Sequence, residues 1–450
     1  MRARSALTKA CYCLCGDAPR WKQTQSVQEL AETNSLKTGL KSNRYFDAFA
    51  FRSVGEKMSS SETQNFSCQR VAGMAPFRKP RICMPSGRRF KKKTFLCGHY
   101  EAQDVLQEVD DLDLICLEAG AHYEFREQWQ RRLLFHDFSG RLIYQNPGLK
   151  KVRLTQEYDL FLARCQYSHD FVHINAIEGW KDQCKVSVCW LDEFWAAEIV
   201  QYEHLIHALR KFDHVFVACQ GTVESLTKAI GKPCRWLAGA VDTLRFCPYP
   251  NPPQRVVDVY SIGRRREGIH RELSRAGEKG SLFYLHDTFG GSLSDVYDYR
   301  EHRNVFSSVA KRSKYFLVAP GKLSVQDETC GQEEIGHRYY EGAAAGAVMI
   351  GQAPKSDSFV KMFPWSDAVI DVQPDGSDVL DVLAKLQAAP EQVHAISQKN
   401  VGEALLRHDW AYRWKEILQV AGLEPMPEMT ARERRLREVA ESVLATTPCA

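Results

Sequence analysis

From residue 94 onward, short continuous runs of apolar residues alternate with segments of helical periodicity. The apolar runs predict strands at 94–97, 112–117, 160–165, 186–190 and 214–218, and the periodic segments predict helices at 124–134 and 222–230. These runs are apolar throughout and do not alternate with polar residues, which is typical of strands buried on both faces of a parallel sheet. The pattern therefore predicts an α/β layer fold.

The same pattern resumes after a proline-rich segment at 248–253. Strands are predicted at 256–263, 282–285, 315–319, 347–350 and 367–371, and helices at 336–345, 379–386, 391–406, 410–420 and 430–444. Proline-rich composition between two such series marks a semi-rigid connection between domains. We therefore predict a first domain at 94–248, a linker at 249–255, a second domain at 256–424 and a charged helical tail at 425–450.

Residues 1–93 lack a sustained period of either kind and are rich in polar side chains, so they are predicted to form a flexible leader. The leader ends in a basic run at 78–93. This run is compatible with a solvated linker, with attraction to anionic lipid headgroups, or with a native start further along the chain, for instance at Met84.

Composition narrows the class of protein. The chain has 450 residues, of which 44% are hydrophobic, so it can bury the cores of two domains. The formal charge of +4 is small for this length and does not argue for a nucleic-acid partner. The 15 cysteines are scattered without metal-ligand spacing, which favours a reduced cytoplasmic protein. Peripheral contact with the inner face of the membrane is expected only through the basic run.

The stretch 332–351 carries the clearest chemistry. Glu333 and Glu341 lie eight positions apart, about 80° around a helix and a little over two turns along it. Two carboxylates so placed can address two ends of one nucleoside diphosphate sugar, and one of them can accept both hydroxyls of a ribose. Gly336 precedes a helix whose N-terminus offers free N–H groups to a diphosphate. The alternative is a surface helix with two solvated glutamates.

A second feature is predicted where the second domain begins. The apolar strand at 256–262 ends in Gly263, and Arg264 follows directly. A glycine and a guanidinium at the carboxyl edge of a parallel sheet form a natural seat for a diphosphate, because arginine is permanently charged and binds phosphate oxygens in pairs.

These motifs resemble those of retaining glycosyltransferases of the GT-B fold, in particular glycosyltransferase family 4 and its relatives. The resemblance covers about residues 94–423. It implies that Glu333 contacts the donor sugar, that Glu341 contacts the ribose, and that Gly263 and Arg264 hold a phosphate. The family's lysine several residues later is replaced here by His270 or Arg271. The segment from Gly239 to Pro248 resembles the one that closes the first domain of such enzymes.

Other residues follow predicted strand ends, where ligands bind in sheets of this kind. Lys322 comes after the strand at 315–319 and is predicted to contact the donor. His169 follows the strand at 160–165 and is predicted to orient the acceptor or receive its proton, although a histidine that satisfies loop backbone is the simpler reading. Asp192 and Glu193 follow the strand at 186–190. The resemblance also implies that the last helices cross back to the first domain near 408–410.

Together these features predict a GT-B enzyme with two Rossmann-like parallel-sheet domains facing across a cleft. It would transfer a sugar from a nucleotide diphosphate donor to a glycan or lipid-linked acceptor in polysaccharide or glycoconjugate synthesis. Retention of configuration follows from the resemblance alone. No cofactor and no obligatory metal are expected, because basic side chains and a helix end can stabilise the leaving diphosphate. The alternatives are a non-catalytic protein of the same fold that binds sugar nucleotides or glycans, and a nucleic-acid-binding protein that uses the basic run.

Overall fold

The computed structural model describes residues 79–135, 140–288, 295–322 and 329–445. Most of the predicted leader, up to residue 78, therefore lies outside the described residues, as do residues 446–450. Among the described helices, none combines the length and the apolar character needed to cross a bilayer.

The first sheet has six parallel strands in the order β2-β1-β4-β6-β7-β8. Its strands are β1 (Ile82–Ser86), β2 (Leu112–Cys116), β4 (Tyr158–Tyr167), β6 (Cys184–Glu193), β7 (His214–Val217) and β8 (Cys234–Trp236). Two short strands, β3 (Val152–Arg153) and β5 (Ile177–Glu178), pair apart from it. The strands predicted at 112–117, 160–165, 186–190 and 214–218 are thus confirmed.

Two expectations near the start of this sheet need correction. β1 lies inside the range assigned to the leader, and its side chains are buried, so the folded unit begins before residue 94. Met84, considered as a start, lies in the middle of β1. The strand predicted at 94–97 is wrong, because Thr94–Leu96 forms a 3-10 turn that leads into a helix at Cys97.

Helices connect the strands of the first sheet. They are α1 (Cys97–Val109), α2 (Tyr123–Phe135), α3 (Trp180–Gln183), α4 (Glu203–Leu209), α5 (Val223–Ile230) and α6 (Thr243–Phe246), together with 3-10 segments at Gly140–Tyr144, Ser168–Ala176, Ala196–Glu198 and Gln220–Thr222. The predictions for α2 and α5 are confirmed. α5 ends at Gly231, whose φ of +72° only glycine adopts readily.

The second sheet has five parallel strands in the order β10-β9-β11-β12-β13. They are β9 (Val257–Ser261), β10 (Tyr284–His286), β11 (Ser313–Val318), β12 (Val348–Gly351) and β13 (Ile370–Asp371). Its helices are α7 (Glu267–Glu278), α8 (Tyr299–Lys311), α9 (His337–Ala344), α10 (Asp357–Met362), α11 (Val379–Gln387) and α12 (Pro390–Arg407). All five predicted strands are present, with shifted ends.

The chain then returns to the first sheet through α13 (Trp410–Val420), as the resemblance implied. Asp409 caps α13 by accepting a hydrogen bond from the Ala411 N–H, and the same residue forms a bridge to Val241. Trp410 and Trp414 are fully buried in a cluster with strands β1, β4 and β6, and the Trp414 indole donates to the Ala102 carbonyl. The crossing thus completes the core of the first sheet.

The tail forms α14 (Pro427–Ala445), and it is an integral part of the fold. Met429, Leu436 and Val443 are buried on it. Arg432, also buried, donates to the carboxylates of Asp409 and Asp242. α14 therefore stabilises the junction between the first domain and the crossing helix, and the helix predicted at 430–444 is present.

Candidate functional site in the cleft between the two sheets

A cleft lies where residues beyond the carboxyl ends of both sheets meet. The first domain contributes Asp192, Glu193 and Trp195 after β6 and Ala218 and Cys219 after β7, and the second contributes Gly321, Lys322 and the stretch from Glu334 to His337. In parallel α/β sheets, ligands bind beyond these strand ends. The two Rossmann-like sheets and their shared cleft confirm the predicted GT-B architecture.

The backbone turn at Gly263 is where the sequence predicts a phosphate seat, and that role stays a prediction. This glycine has a φ of +86°, and its N–H donates to Asp287 over 3.0 Å. Arg264 is exposed beside it. The sequence did not single out Arg338, which lies near Gly263 and whose Nε donates to the Ile262 carbonyl over 3.2 Å. Arg264 and Arg338 thus both lie next to the backbone turn at Gly263.

Helix α9 begins at this seat. Gly336, the residue predicted there, is its N-cap, has extended backbone and lines the cleft. Gly336 has no side chain that could cap the helix, and Gly336 and His337 both line the cleft, so the positive end of the helix dipole lies at the cleft. Arg338 is the second residue of α9. A helix end and two arginines in one place are the groups that bind a diphosphate.

The other two arginines after Gly263 have partners in the fold. Arg265 donates to the Asp287 carbonyl over 2.9 Å, and Arg266 donates to the Gln352 side chain. His270 and Arg271 lie in α7, which begins after the Gly263 turn. His270 contacts the Tyr284 hydroxyl at 3.1 Å, and Arg271 is close to Glu272 of its own helix. The structure therefore offers Arg338, rather than either of these, as the second cation of the seat.

Within the stretch 332–351, the glutamate that lines the cleft is Glu334, one position after the predicted Glu333. Its carboxylate accepts hydrogen bonds from the backbone N–H groups of Gln220 and Gly221, over 3.0 and 2.8 Å. Burial raises its pKa. Glu333 is half-buried and accepts from the Lys355 N–H over 2.7 Å. Its contact with the donor sugar stays a prediction.

Three further contacts cross the cleft beside Glu334. The Gln332 side chain accepts from the Ala196 N–H and donates to the Thr222 hydroxyl, each over 3.2 Å. A Cβ at Gly221 would lie 2.9 Å from the Gln332 side-chain amide, so a larger residue there would displace this amide. Lys322, predicted to contact the donor, lines the cleft but pairs with Glu198 over 2.8 Å. These contacts hold the two domains together at one end of the cleft.

Glu341 lies behind the seat in a buried cluster of charges. It accepts from both Arg338 and Arg303, and Arg303 also donates to Glu101 of α1 over 2.7 and 3.0 Å. Burial alone would raise the pKa of Glu341, but Arg338 and Arg303 outweigh it and lower the pKa. The cluster joins the two domains. A ribose contact from Glu341, which stays a prediction, would require it to release one of these partners.

Glu193 is a titratable group of the first domain on which the charge of Arg264 acts. It ends β6, lines the cleft and accepts from the Gln166 side chain over 3.2 Å. Burial raises its pKa to about 7, against the opposing charges of Arg264 and Lys322. Its neighbour Asp192 is held by Arg164, whose guanidinium lies between the rings of Trp190 and Trp410. These buried contacts of Arg164 hold the carboxyl end of β6 in place.

His169, the predicted acceptor residue, lies in a separate groove that is lined mostly by the first domain. The groove is lined by aromatic and charged side chains: Phe90, Lys91, Lys92, Lys93, Phe95, Leu96, Tyr123, Glu124, Glu127, Arg131, Tyr167, His169, Asp170, Asp295, Val296 and Tyr297. The His169 ring stacks on Tyr167, and burial lowers its pKa. Burial raises the pKa of Tyr167, the charge of Glu193 raises it further, and the charge of Arg264 lowers it. We call this cavity the acceptor-side groove.

A comparison with family models gives one match. Residues 266–419, which begin two residues after Arg264 and include α9 and nearly all of α13, match the model of a family described as glycosyl transferase-like. This match confirms, for that segment, the resemblance drawn from the sequence. A search of curated proteins finds no match to the chain.

Solved structures similar to this chain include glycosyltransferases at low identity. An alpha-glucosyltransferase in complex with UDP and DNA has 11% identity and a TM-score of 0.45, with 76% of this chain and 99% of that chain covered. HepE from Anabaena, in complex with UDP-glucose, has 9% identity and a TM-score of 0.43 over the same shares. A UDP-N-acetylglucosamine 2-epimerase has 10% identity and a TM-score of 0.39, with 77% and 97% covered.

Proposed function

We propose that this protein is a glycosyltransferase that moves a sugar from a nucleotide diphosphate donor to a glycan or lipid-linked acceptor. The observation that carries the proposal is the seat formed by Gly263, Arg264, Arg338 and the N-terminus of α9 at the cleft. The family match over residues 266–419, which includes Arg338 and the N-terminus of α9, supports the same conclusion. Polysaccharide or glycoconjugate synthesis is the proposed setting.

In the proposed reaction, the leaving diphosphate gains negative charge while positive charge develops at the anomeric carbon. Arg264, Arg338 and the helix end would stabilise the diphosphate, which is the role that makes a metal unnecessary in this proposal. Glu193, on the opposite wall of the cleft, would stabilise the positive charge as a carboxylate. We propose retention of configuration, as in the resembled family.

His169 would hold the acceptor on its path into the cleft. Its lowered pKa keeps the imidazole neutral at pH 7, so that it can accept a hydrogen bond from an acceptor hydroxyl. The aromatic lining of the acceptor-side groove, including Phe95 and Tyr167, suits the apolar faces of sugar rings.

The test is titration of the protein with a panel of nucleotide diphosphate sugars and free nucleotides. Arg264→Ala and Arg338→Ala should each weaken binding of the preferred donor by about 1 to 3 kcal/mol, the range for a hydrogen bond to a charged group. Arg434→Ala is the matched control, because this arginine is exposed on α14 far along the chain from the seat. If wild type binds no member of the panel, the proposal fails.

Turnover separates the proposal from its alternative. Release of nucleoside diphosphate with an acceptor present indicates a transferase, and product stereochemistry then reports retention or inversion. Tight donor binding without turnover over a broad acceptor panel would instead indicate a non-catalytic sugar-nucleotide-binding protein. Activity that survives chelation of divalent cations is the expected result for metal independence.

A further inference from the structure

Helix α2 presents a stripe of large apolar side chains to solvent. Phe125, Trp129 and Leu133 are 63%, 47% and 42% exposed. They are four positions apart, so each lies about 40° around the helix from the last, and the three form one continuous stripe. Side chains of this size are usually buried. Phe125 and Trp129 also contact each other, with ring centroids 6.0 Å apart.

Arginines border this stripe on both sides. Arg126 and Arg132 are exposed, and helical geometry places them about 20° beyond the two edges of the stripe. The Arg132 guanidinium lies 5.7 Å from the centre of the Trp129 ring. The acidic residues of the helix, Glu124 and Glu127, line the acceptor-side groove on another face. An apolar stripe between cations complements a surface that is apolar within and anionic at its border.

The basic run expected to make this contact has partners within the fold instead. Five of its described cations pair with carboxylates of the protein: Arg81 with Asp110, Arg88 with Asp104, Arg89 with Glu118, Lys91 with Asp170 and Lys93 with Asp295. A cation already paired attracts an anionic surface less, because its charge is compensated locally. Helix α2 is therefore the better candidate for membrane contact among the described residues.

We propose that α2 docks on an anionic lipid bilayer. Phe125, Trp129 and Leu133 would enter the boundary between headgroups and acyl chains, and Arg126 and Arg132 would lie at the lipid phosphates. The helix also forms one wall of the acceptor-side groove, through Tyr123 and Arg131 among others. Docking would thus bring the groove to the bilayer surface. Use of that position for a lipid-linked acceptor rests on the proposed function, whereas docking itself does not.

The test is co-sedimentation of the full chain with vesicles, with phosphatidylcholine alone compared with phosphatidylcholine containing phosphatidylglycerol. Wild type should bind the anionic vesicles, and binding should fall with added salt. Phe125→Ser/Trp129→Ser should weaken it about tenfold or more, because the inserted apolar area is lost. Arg126→Gln/Arg132→Gln should weaken it by about fivefold for each charge removed. Val360→Ser is the matched control, since Val360 is 68% exposed on α10.

Each outcome decides the proposal. Anionic binding that is lost in both double variants, with their melting temperatures and nucleotide binding unchanged, supports it. Absence of vesicle binding by wild type overturns it, as does binding that both variants retain. A wild-type dimer in light scattering that becomes a monomer in Phe125→Ser/Trp129→Ser, without vesicle binding, would assign the stripe to a second copy of the chain and also overturn it. Nucleotide titration of the same samples reports the proposed function separately.

Discussion

Two groups of charged residues at helix α9 differ in how their charge is compensated. In the buried cluster, Glu341 and Glu101 are matched by Arg303 and Arg338 within hydrogen-bonding distance. At the seat, Arg264 is exposed and Gly336, the N-cap of α9, has no side chain to cap the helix, whereas Arg338 belongs to both groups because it also pairs with Glu341. Compensated charges join elements of the fold, whereas exposed cations at a helix end can receive an anion. Sequence spacing alone does not distinguish the two groups.

The largest effect is expected from breaking the compensated cluster. Arg303→Ala would leave Glu101 and Glu341 buried beside each other with one cation fewer, and removing one partner of a buried pair costs about 3 to 5 kcal/mol. Urea-induced unfolding should show a correspondingly lower midpoint. Arg434→Ala, an exposed arginine, should unfold as wild type does. An unchanged midpoint for Arg303→Ala would show that the cluster does not join the domains.

The same cluster allows the predicted ribose contact to be tested. Glu341→Gln keeps the shape of the side chain and removes its charge. If Glu341 only stabilises the fold, the variant loses stability and binds the donor as tightly as wild type does in the folded state. Weaker donor binding by folded protein would assign Glu341 to the ribose as well.

A smaller effect, dependent on pH, is expected at Glu193. Its pKa is about 7 in the folded protein and lower in the unfolded chain, so the folded state holds the proton more tightly. Stability therefore falls as pH rises from the unfolded pKa to about 7. Glu193→Gln should melt at the same temperature as wild type at pH 4 and at a higher temperature at pH 8.

Activity should change with pH in the opposite sense. Because the proposed role needs the carboxylate, wild-type turnover should rise through an apparent pKa near 7. Glu193→Gln should show much lower turnover without that rise, while binding of the nucleotide is retained. A pH profile that is the same in both proteins would exclude Glu193 from the reaction.

The smallest effect is the stability change at the seat. Arg264 is exposed, so Arg264→Ala should change the free energy of unfolding by no more than about 0.5 kcal/mol. The variant should nevertheless lose donor affinity, as described above. Thermal unfolding with and without nucleotide measures both quantities. A large loss of stability without ligand would mean that Arg264 belongs with the compensated cluster.

Local patterns predicted much of this fold. The apolar runs that became β4, β6 and β7 are largely buried, so their composition reports their environment directly, whereas β2 is an edge strand in which only Leu112 is fully buried. β1 escaped prediction because its five residues contain Pro85 and stand inside a basic segment. The turn at Thr94–Leu96 was mistaken for a strand because a run that short fits either structure.

The site was predictable where one segment builds it and not where distant segments meet. Gly263, Arg264 and Gly336 could be found because each adjoins a strand or helix end. The pairing of Glu101 with Arg303 joins residues 202 positions apart and leaves no local pattern. Glu334 was missed because neighbouring loop residues point in different directions, and only the structure shows which one meets Gln220 and Gly221.

The return of α13 to the first sheet bears on how the protein is made. Trp410, Trp414 and Met429 belong to the same core as β1 and β4, although the whole second sheet separates them in the chain. A ribosome therefore synthesises every strand of the first sheet long before it releases the helices that cover one face. Until then, we expect the nascent first domain to expose apolar surface and to rely on chaperones. For the same reason, a fragment ending at the proline-rich linker would be an incomplete domain.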